Sequence, residues 1–253
     1  MFDRPRVIPC LLIQNKNMVK TKYFKNPNYL GDPINAVKIY NEKMVDELCI
    51  LDITRNKKEI DFDYLYNIAT EAFMPLSYGG GIETIEQIKE LFWIGFEKVV
   101  INTSLVKNPV LIEQAVSYAG SQSIVASIDV KKTIFGKQKC FIKCGSRNTG
   151  FSPISLAKRA EELGVGEILL NSIDCDGMMK GYDLRLIREI SANIRIPLIA
   201  CGGAGRISDL KEAIEAGANA VAAGSMFVYY GENKAVLINY PDEKEMIKAE
   251  LFL

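Results

Sequence analysis

The chain has no histidine. This excludes Ser-His-Asp and Cys-His nucleophilic catalysis and leaves proton transfer to carboxylates, lysine, tyrosine or cysteine. A zinc site would need all-sulfur or carboxylate ligands, and Cys140 and Cys144 are the only closely spaced cysteine pair, so no metal and no cofactor is expected. No apolar run approaches the length of a membrane span, and the opening MFDRPRVIPCLLIQN lacks the long apolar core and cleavage site of a signal peptide. Charge of one sign is not in excess either, since 31 Lys plus Arg balance 31 Asp plus Glu. That balance gives no electrostatic reason to expect nucleic acid or an anionic membrane as partner, although local phosphate sites remain open. A cytoplasmic location is expected, and the six cysteines, mostly set in apolar strand text, read as reduced core residues.

What the chain does contain is a self-similar pattern. The stretch Ile196 to Phe227 reads as strand, glycine turn, helix, strand and a second small-residue turn, with the helix opening at Ser208-Asp209. Two strands joined by a helix, with no hairpin turn between them, are parallel. Glycines at the carboxyl ends of such strands let an anion approach the backbone N–H groups, so Gly202-Gly203 and Gly224-Ser225 can cradle one phosphate. They can equally serve as tight turns between strand and helix. The same text recurs upstream: Gly80 precedes Gly202 by 122 residues (202 less 80), and Asn102 precedes Gly224 by the same interval. Glu47 precedes Glu167 by 120 residues, and the run from Ile8 precedes that from Val125 by 117. Four segments recurring in order indicate a duplicated half, residues 1 to about 121 and about 122 to 253.

Strand and helix patterns alternate along the whole chain. Strands are expected near Arg6 to Ile13, Leu48 to Ile53, Leu76 to Tyr78, Lys98 to Ile101, Ser123 to Ile128, Glu167 to Ile173 and in the two apolar runs of the stretch Ile196 to Phe227. A polar loop, QNKNMVKTKYFKNPNYLGDP, follows the first strand, and an insertion after the fifth reads as a hairpin turning at Gly136-Lys137. Eight parallel strands with right-handed helical crossovers are best accommodated by closing the sheet. The expected architecture is a single α/β domain, a (β/α)8 barrel, the TIM barrel, built from two half-barrels.

Several blocks resemble a known family. Asp46-Glu-Leu-x-x-Leu-Asp-Ile-Thr54, Gly79-Gly-Gly-Ile82, Lys98-x-x-Ile-Asn-Thr103, Gly145-x-x-Asn-Thr-Gly150, Gly166-Glu-Ile-Leu-Leu-x-Ser-Ile-Asp-x-Asp-Gly177, Gly181-Tyr-Asp183 and Gly202-Gly-Ala-Gly205 are similar to the cyclase subunit of imidazole glycerol phosphate synthase. The resemblance runs from Arg6 to about Phe227. It implies a lyase acting on a substrate with a phosphate at each end, and a glutaminase subunit in a heterodimer that delivers ammonia through the N-terminal face. By the same resemblance, one phosphate would meet Gly81, Asn102 and Thr103. The other would meet Gly177, Gly202, Gly203, Gly224 and Ser225. Lys20, Asp52, Ser172, Asp174 and Asp176 would stand around the mouth, where catalytic residues of such barrels collect. Alone, Asp174 and Asp176 read equally as turn and capping residues, and Lys20 as a solvated lysine. Arg6, Glu47, Lys98 and Glu167 match a four-residue charged gate across the barrel floor, against the alternative of exposed salt bridges on the lower rim.

One departure carries more weight than the matches. The family works with two aspartates, at the ends of strands 1 and 5. Asp129 keeps the second, but Leu12 stands at the first, and the internal repeat independently makes Leu12 the mate of Asp129. Leucine moves no proton, so pair chemistry requires a substitute such as Asp52, Asp176 or a water. Cys201, where the family usually has serine, adds to the divergence. The resemblance therefore allows three expectations: a paralogue supplying ammonia to another amination, as in surface-polysaccharide synthesis; the histidine-pathway cyclase with a substitute carboxylate; or a non-catalytic activator of a glutaminase.

Overall fold

A computed structural model of the chain describes residues 4–54, 59–231 and 233–252. Residues 1–3 and 253, the outer bounds of the two expected half-barrels, lie outside them. Eight strands form the ring: β1 (Arg6–Gln14), β2 (Leu48–Asp52), β3 (Leu76–Gly79), β4 (Lys98–Ile101), β5 (Ile124–Lys132), β6 (Glu167–Ser172), β7 (Leu198–Cys201) and β8 (Ala220–Ala223). Each pairs in parallel with the next, and β8 pairs with β1, which closes the barrel. Seven helices cover it: α1 (Pro33–Glu42), α2 (Phe62–Glu71), α3 (Ile85–Trp93), α4 (Pro109–Ala119), α5 (Pro153–Glu162), α6 (Leu184–Ser191) and α7 (Ile207–Glu215). An eighth, α8 (Glu243–Lys248), lies in the C-terminal segment. No helix among the described residues is long and apolar enough to cross a membrane.

Strand alternation sorts the core into two. Val7, Leu11 and Ile13 of β1 face the helices, while Ile8 and Cys10 join Cys49, Val100, Val125, Leu169, Ile199, Cys201, Ala220 and Ala222 inside the barrel. Both faces of each strand are thereby covered, which explains why the strands read as continuous apolar runs. Helix starts are fixed by the expected chemistry. Asp32 and Ser152 cap α1 and α5 ahead of a proline at the first turn, and Thr84 with Gln87 forms a capping box on α3. The start of α7 differs from expectation. It opens at Ile207, because Asp209 sits in the third helical position and takes the N–H groups of Gly205 and Arg206.

The pairing register repeats around the ring. Leu12 opposes Leu51 between β1 and β2, as Asp129 opposes Asn171 between β5 and β6. Ser77 opposes Lys98 as Ile199 opposes Ala220, and Leu48 opposes Leu76 as Ile168 opposes Leu198. Short helices Thr103–Lys107 and Ser225–Val228 follow β4 and β8 from mated residues in nearly one backbone conformation: Asn102 at φ −107°, ψ −70° and Gly224 at φ −109°, ψ −68°.

The stretch read as a polar loop after β1 is not one. Asn17–Lys22 and Lys25–Gly31 form an antiparallel hairpin that returns to β1, where Leu12 faces Val19. Its two tight reversals use left-handed residues that are not glycine, Asn15-Lys16 and Tyr23-Phe24. The insertion after β5 does turn at Gly136, with β5 running on to Lys132 and pairing with Gln138–Ile142.

Candidate active site

At the N-terminal end of the ring, the inward positions that open β1, β4 and β6, together with the residue just before β2, carry charge. Arg6 reaches Glu47 and Glu167, each at 2.5 Å, and Lys98 reaches the same two carboxylates at 2.9 and 3.0 Å. The four side chains close a square of alternating sign across the floor. Ala220, the register partner of Arg6, puts only a methyl at the corresponding position of β8. Glu47 is 3% exposed. A carboxylate so buried is tolerable only when paired, and two cations pair it. Burial opposes the charge on Arg6, but Glu167 and Glu47 outweigh it and raise its pKa. Beside the square, a cleft of about 560 Å³ is lined by Lys98, Glu167, Glu97, Gln122, Ser123, Gly166 and Pro197. Helices run counter to the strands, so α1, α2 and α3 end on this same face. There Met44, Phe73 and Trp93 are 84, 89 and 78% exposed. The N–H of Phe73 donates to Asn41 Oδ1 at 2.9 Å, tying the ends of α1 and α2 together.

Above the square the interior is apolar and thiol-lined. Cys10 and Cys49 are register partners, and with Cys201 they share one cluster with Ile8, Val100 and Leu169. All six cysteines are unbridged. Among the described residues no three Cys, Asp or Glu side chains are arranged to hold a metal ion.

At the C-terminal end, Asp129 faces inward from β5 and is 7% exposed. Burial, and then the charge of Asp176, push its carboxyl up to about 7, against a downward pull from the Ser127 hydroxyl. Asp176 reaches this position from the turn after β6. Its carboxylate accepts from Lys20 Nζ at 3.3 Å and from Thr21 Oγ1 at 3.1 Å. Lys20 is therefore neither solvated nor in a loop: it lies on the hairpin, 6% exposed. Burial disfavours its ammonium, but Asp176 together with the Cys10 and Cys201 thiols outweighs it and raises the pKa. The two aspartates of the IDCDG turn have different partners. Asp174 holds the backbone, accepting the Lys132 N–H at 2.7 Å, while Asp176 holds side chains. Asp52 does not join this group. Alternation along β2 turns it outward, level with Ile13, where it accepts the Thr54 N–H at 2.9 Å and lines a separate cleft with Lys16, Asp61 and Tyr64. Leu12 occupies the inward position on β1 and is 8% exposed.

The glycines at this end are tightly confined. A Cβ on Gly177 would lie 2.2 Å from Thr21 O, on Gly202 2.4 Å from Asn171 Oδ1, on Gly203 2.1 Å from Gly181 O and on Gly224 2.7 Å from Lys20 Nζ. Close packing alone would thus require them. A further observation points beyond packing. The Ser225 hydroxyl and the Asn171 side-chain carbonyl are buried with no hydrogen-bond partner, which is costly unless a ligand supplies one. Asn171 was not among the residues expected from the sequence; its signal was a lone amide in the run Glu-Ile-Leu-Leu-Asn-Ser. Ser172 is buried beside it, its backbone carbonyl taking the N–H groups of Cys175 and Asp176. Across the ring, Gly81 is exposed at φ 72°. The Asn102 amide donates to Ser127 O at 3.0 Å, and Thr103 Oγ1 accepts the Lys143 N–H at 3.3 Å. The Asn102 amide is engaged with the scaffold and Thr103 Oγ1 is engaged as an acceptor, which leaves the Thr103 O–H and backbone N–H groups to meet any anion there.

A sequence profile for the family described as histidine biosynthesis protein matches residues 6–234. A provisionally named imidazole glycerol phosphate synthase subunit hisF2 of Pseudomonas aeruginosa is 49% identical over 246 residues, 96% of this chain and 98% of that one. A provisionally named HisF subunit of Leptospira interrogans is 47% identical over 246 residues, 96% and 97% of the two chains. The imidazole glycerol phosphate synthase subunit HisF of Streptomyces griseus is 41% identical over 229 residues, 90% and 91%.

Proposed function

We propose that this chain, which belongs to the histidine biosynthesis protein family as a cyclase-subunit paralogue of imidazole glycerol phosphate synthase, takes ammonia from a glutaminase partner and adds it to a substrate phosphorylated at both ends. The observation that carries this reading is the square of Arg6, Glu47, Lys98 and Glu167. A stability role alone would not call for four charges on the axis of a barrel, because well-packed apolar residues serve there at least as well. A closed ring of ion pairs does suit a floor that must block water yet part for a small neutral molecule. Above it the apolar interior favours ammonia over ammonium, whose charge would be uncompensated there. Met44, Phe73, Trp93 and the cleft beside Lys98 give the partner an apolar landing surface on the same face.

At the mouth, Asp129 is the acid and base of a lyase-type step, poised to hold or release a proton near neutral pH. Lys20 and Asp176 position the substrate, whose phosphates sit on Gly81, Asn102 and Thr103 at one end and on Gly177, Gly202, Gly203, Gly224 and Ser225 at the other. The Ser225 hydroxyl gains its missing partner by donating to a phosphate oxygen, while the Asn171 carbonyl takes a donor such as a hydroxyl of the substrate. Leu12 removes the first carboxylate of the pair, so the nitrogen acceptor is a sugar derivative used in surface-polysaccharide synthesis rather than the ribulosyl bisphosphate of the histidine pathway. Asp176 favours a second reading, in which histidine-pathway cyclisation survives, because its charge acts directly on Asp129.

The two readings separate in one assay. Purified chain with the bisphosphorylated ribulosyl substrate and ammonium is expected to give no imidazole glycerol phosphate above background. Product formation that vanishes in Asp176→Asn would instead establish the second reading.

A further inference from the structure

The cradle after β4 has a cluster of exposed basic neighbours. Three cations are built around Thr103. Lys107 closes the short helix that Thr103 begins, Lys143 is bonded to Thr103 Oγ1 through its own N–H, and Arg147 sits on the returning strand paired with Ile142. The Lys143 backbone is fixed in a left-handed turn at φ 55°, and its carbonyl accepts from the Ser146 hydroxyl at 2.6 Å and the Ser146 N–H at 3.2 Å. All three side chains are exposed. They crowd one another: Lys143 first, and then Arg147, push the Lys107 ammonium below its ordinary value, with Glu83 pulling only weakly the other way. Like charges held together on a fixed backbone are unfavourable unless an anion lies between them. At the β8 cradle Lys20 is already paired with Asp176.

We propose that Lys107, Lys143 and Arg147 form an outer clamp for a second phosphoryl group, so that the substrate end bound after β4 carries a diphosphate. The inference rests on the reading of Gly81, Asn102 and Thr103 as a phosphate cradle. One phosphoryl group occupies those neutral backbone groups. The next meets three cations against the single carboxylate of Glu83, and the exposure of the clamp leaves whatever the diphosphate is esterified to in solvent.

Calorimetric titration of the full-length protein with inorganic phosphate and with inorganic pyrophosphate tests this. Pyrophosphate is expected to bind about tenfold more tightly than phosphate, with a steeper loss on adding salt. The Lys107→Gln/Lys143→Gln double variant is expected to lose that advantage while its phosphate affinity changes by less than about threefold. These positions are exposed, and an unchanged thermal melt verifies the fold. Equal affinities in the wild type, or a preference that persists in the double variant, would overturn the clamp and leave the cradle standing. Failure of the wild type to bind either anion would remove the cradle reading, and the clamp with it.

Discussion

The two ends of the barrel treat its halves differently. At the floor the halves share one charged position: Glu47 and Glu167, repeat mates, are each bridged by both Arg6 and Lys98, two cations that the first half supplies while the mate of Lys98 is Ala220. At the mouth, Leu12 stands where its mate is Asp129, and Leu51 where its mate is Asn171. The register is the same in both halves, so the difference lies in side chains and not in backbone. A ring of alternating charge needs a contribution from each half, because removing one corner leaves a buried charge without its partner. Proton transfer needs only one correctly placed carboxyl, so the chemistry can lapse in one half while the scaffold persists.

The comparison breaks most severely at Glu47. Glu47→Ala leaves two cations sharing one carboxylate, and a loss of about 3 kcal/mol in denaturant unfolding is expected. Glu167→Ala, at a more exposed corner, is expected to lose less.

Asp129 sharpens the contrast at the other end. Its carboxyl is held near 7, above the ordinary value of 3.8, so between those pH values the native state binds a proton that the unfolded chain has released. Native stability therefore falls as pH rises through this window and levels off above about 7. Asp129→Asn is expected to equal the wild type near pH 4 and to exceed it at pH 8, by on the order of a few kcal/mol, while turnover falls by about 10² or more. Parallel unfolding curves at the two pH values check the first, and any acceptor assay the second. Introducing a carboxylate with Leu12→Asp is expected to raise the Asp129 pKa further, which a shifted pH–rate profile would register.

Smaller effects distinguish glycines that pack from groups that await a ligand. Gly203→Ala puts a Cβ against Gly181 O at φ 123° and is expected to cost about 2 kcal/mol. Ser225→Ala removes a buried hydroxyl that has no partner, so stability is expected to hold or to rise by about 1 kcal/mol while phosphate affinity falls. Trp93→Ala, at a largely solvated helix end, is expected to leave the melt within about 0.5 kcal/mol and to weaken only partner capture.

The ring itself was legible because its strands are apolar on both faces and the chain repeats at a nearly constant interval. The floor was legible through the family resemblance, which matched Arg6, Glu47, Lys98 and Glu167 to a charged gate; their places at strand starts agreed with it but left exposed salt bridges open. The hairpin after β1 was not: its reversals use Asn15-Lys16 and Tyr23-Phe24, with no glycine to mark them, and its strands are rich in lysine and asparagine. That hairpin also holds Lys20, which the resemblance placed at the mouth although alone it read as solvated, and which is buried against Asp176. The separation of Asp52 from Asp129 depended on which face of its own strand, β2 or β5, each residue takes near the strand end, something a pattern of residue types leaves open. Asn171 was passed over because its repeat mate, Leu51, carries no polar group.

The most direct test of ammonia entry at the charged floor is titration of this chain into a glutaminase encoded beside it, with complex formation and glutamine hydrolysis followed together. A one-to-one complex is expected, with hydrolysis raised about tenfold or more and the rise weakened by Trp93→Ala. If the two proteins elute apart at tens of micromolar and the glutaminase rate does not change, the barrel receives no ammonia by this route.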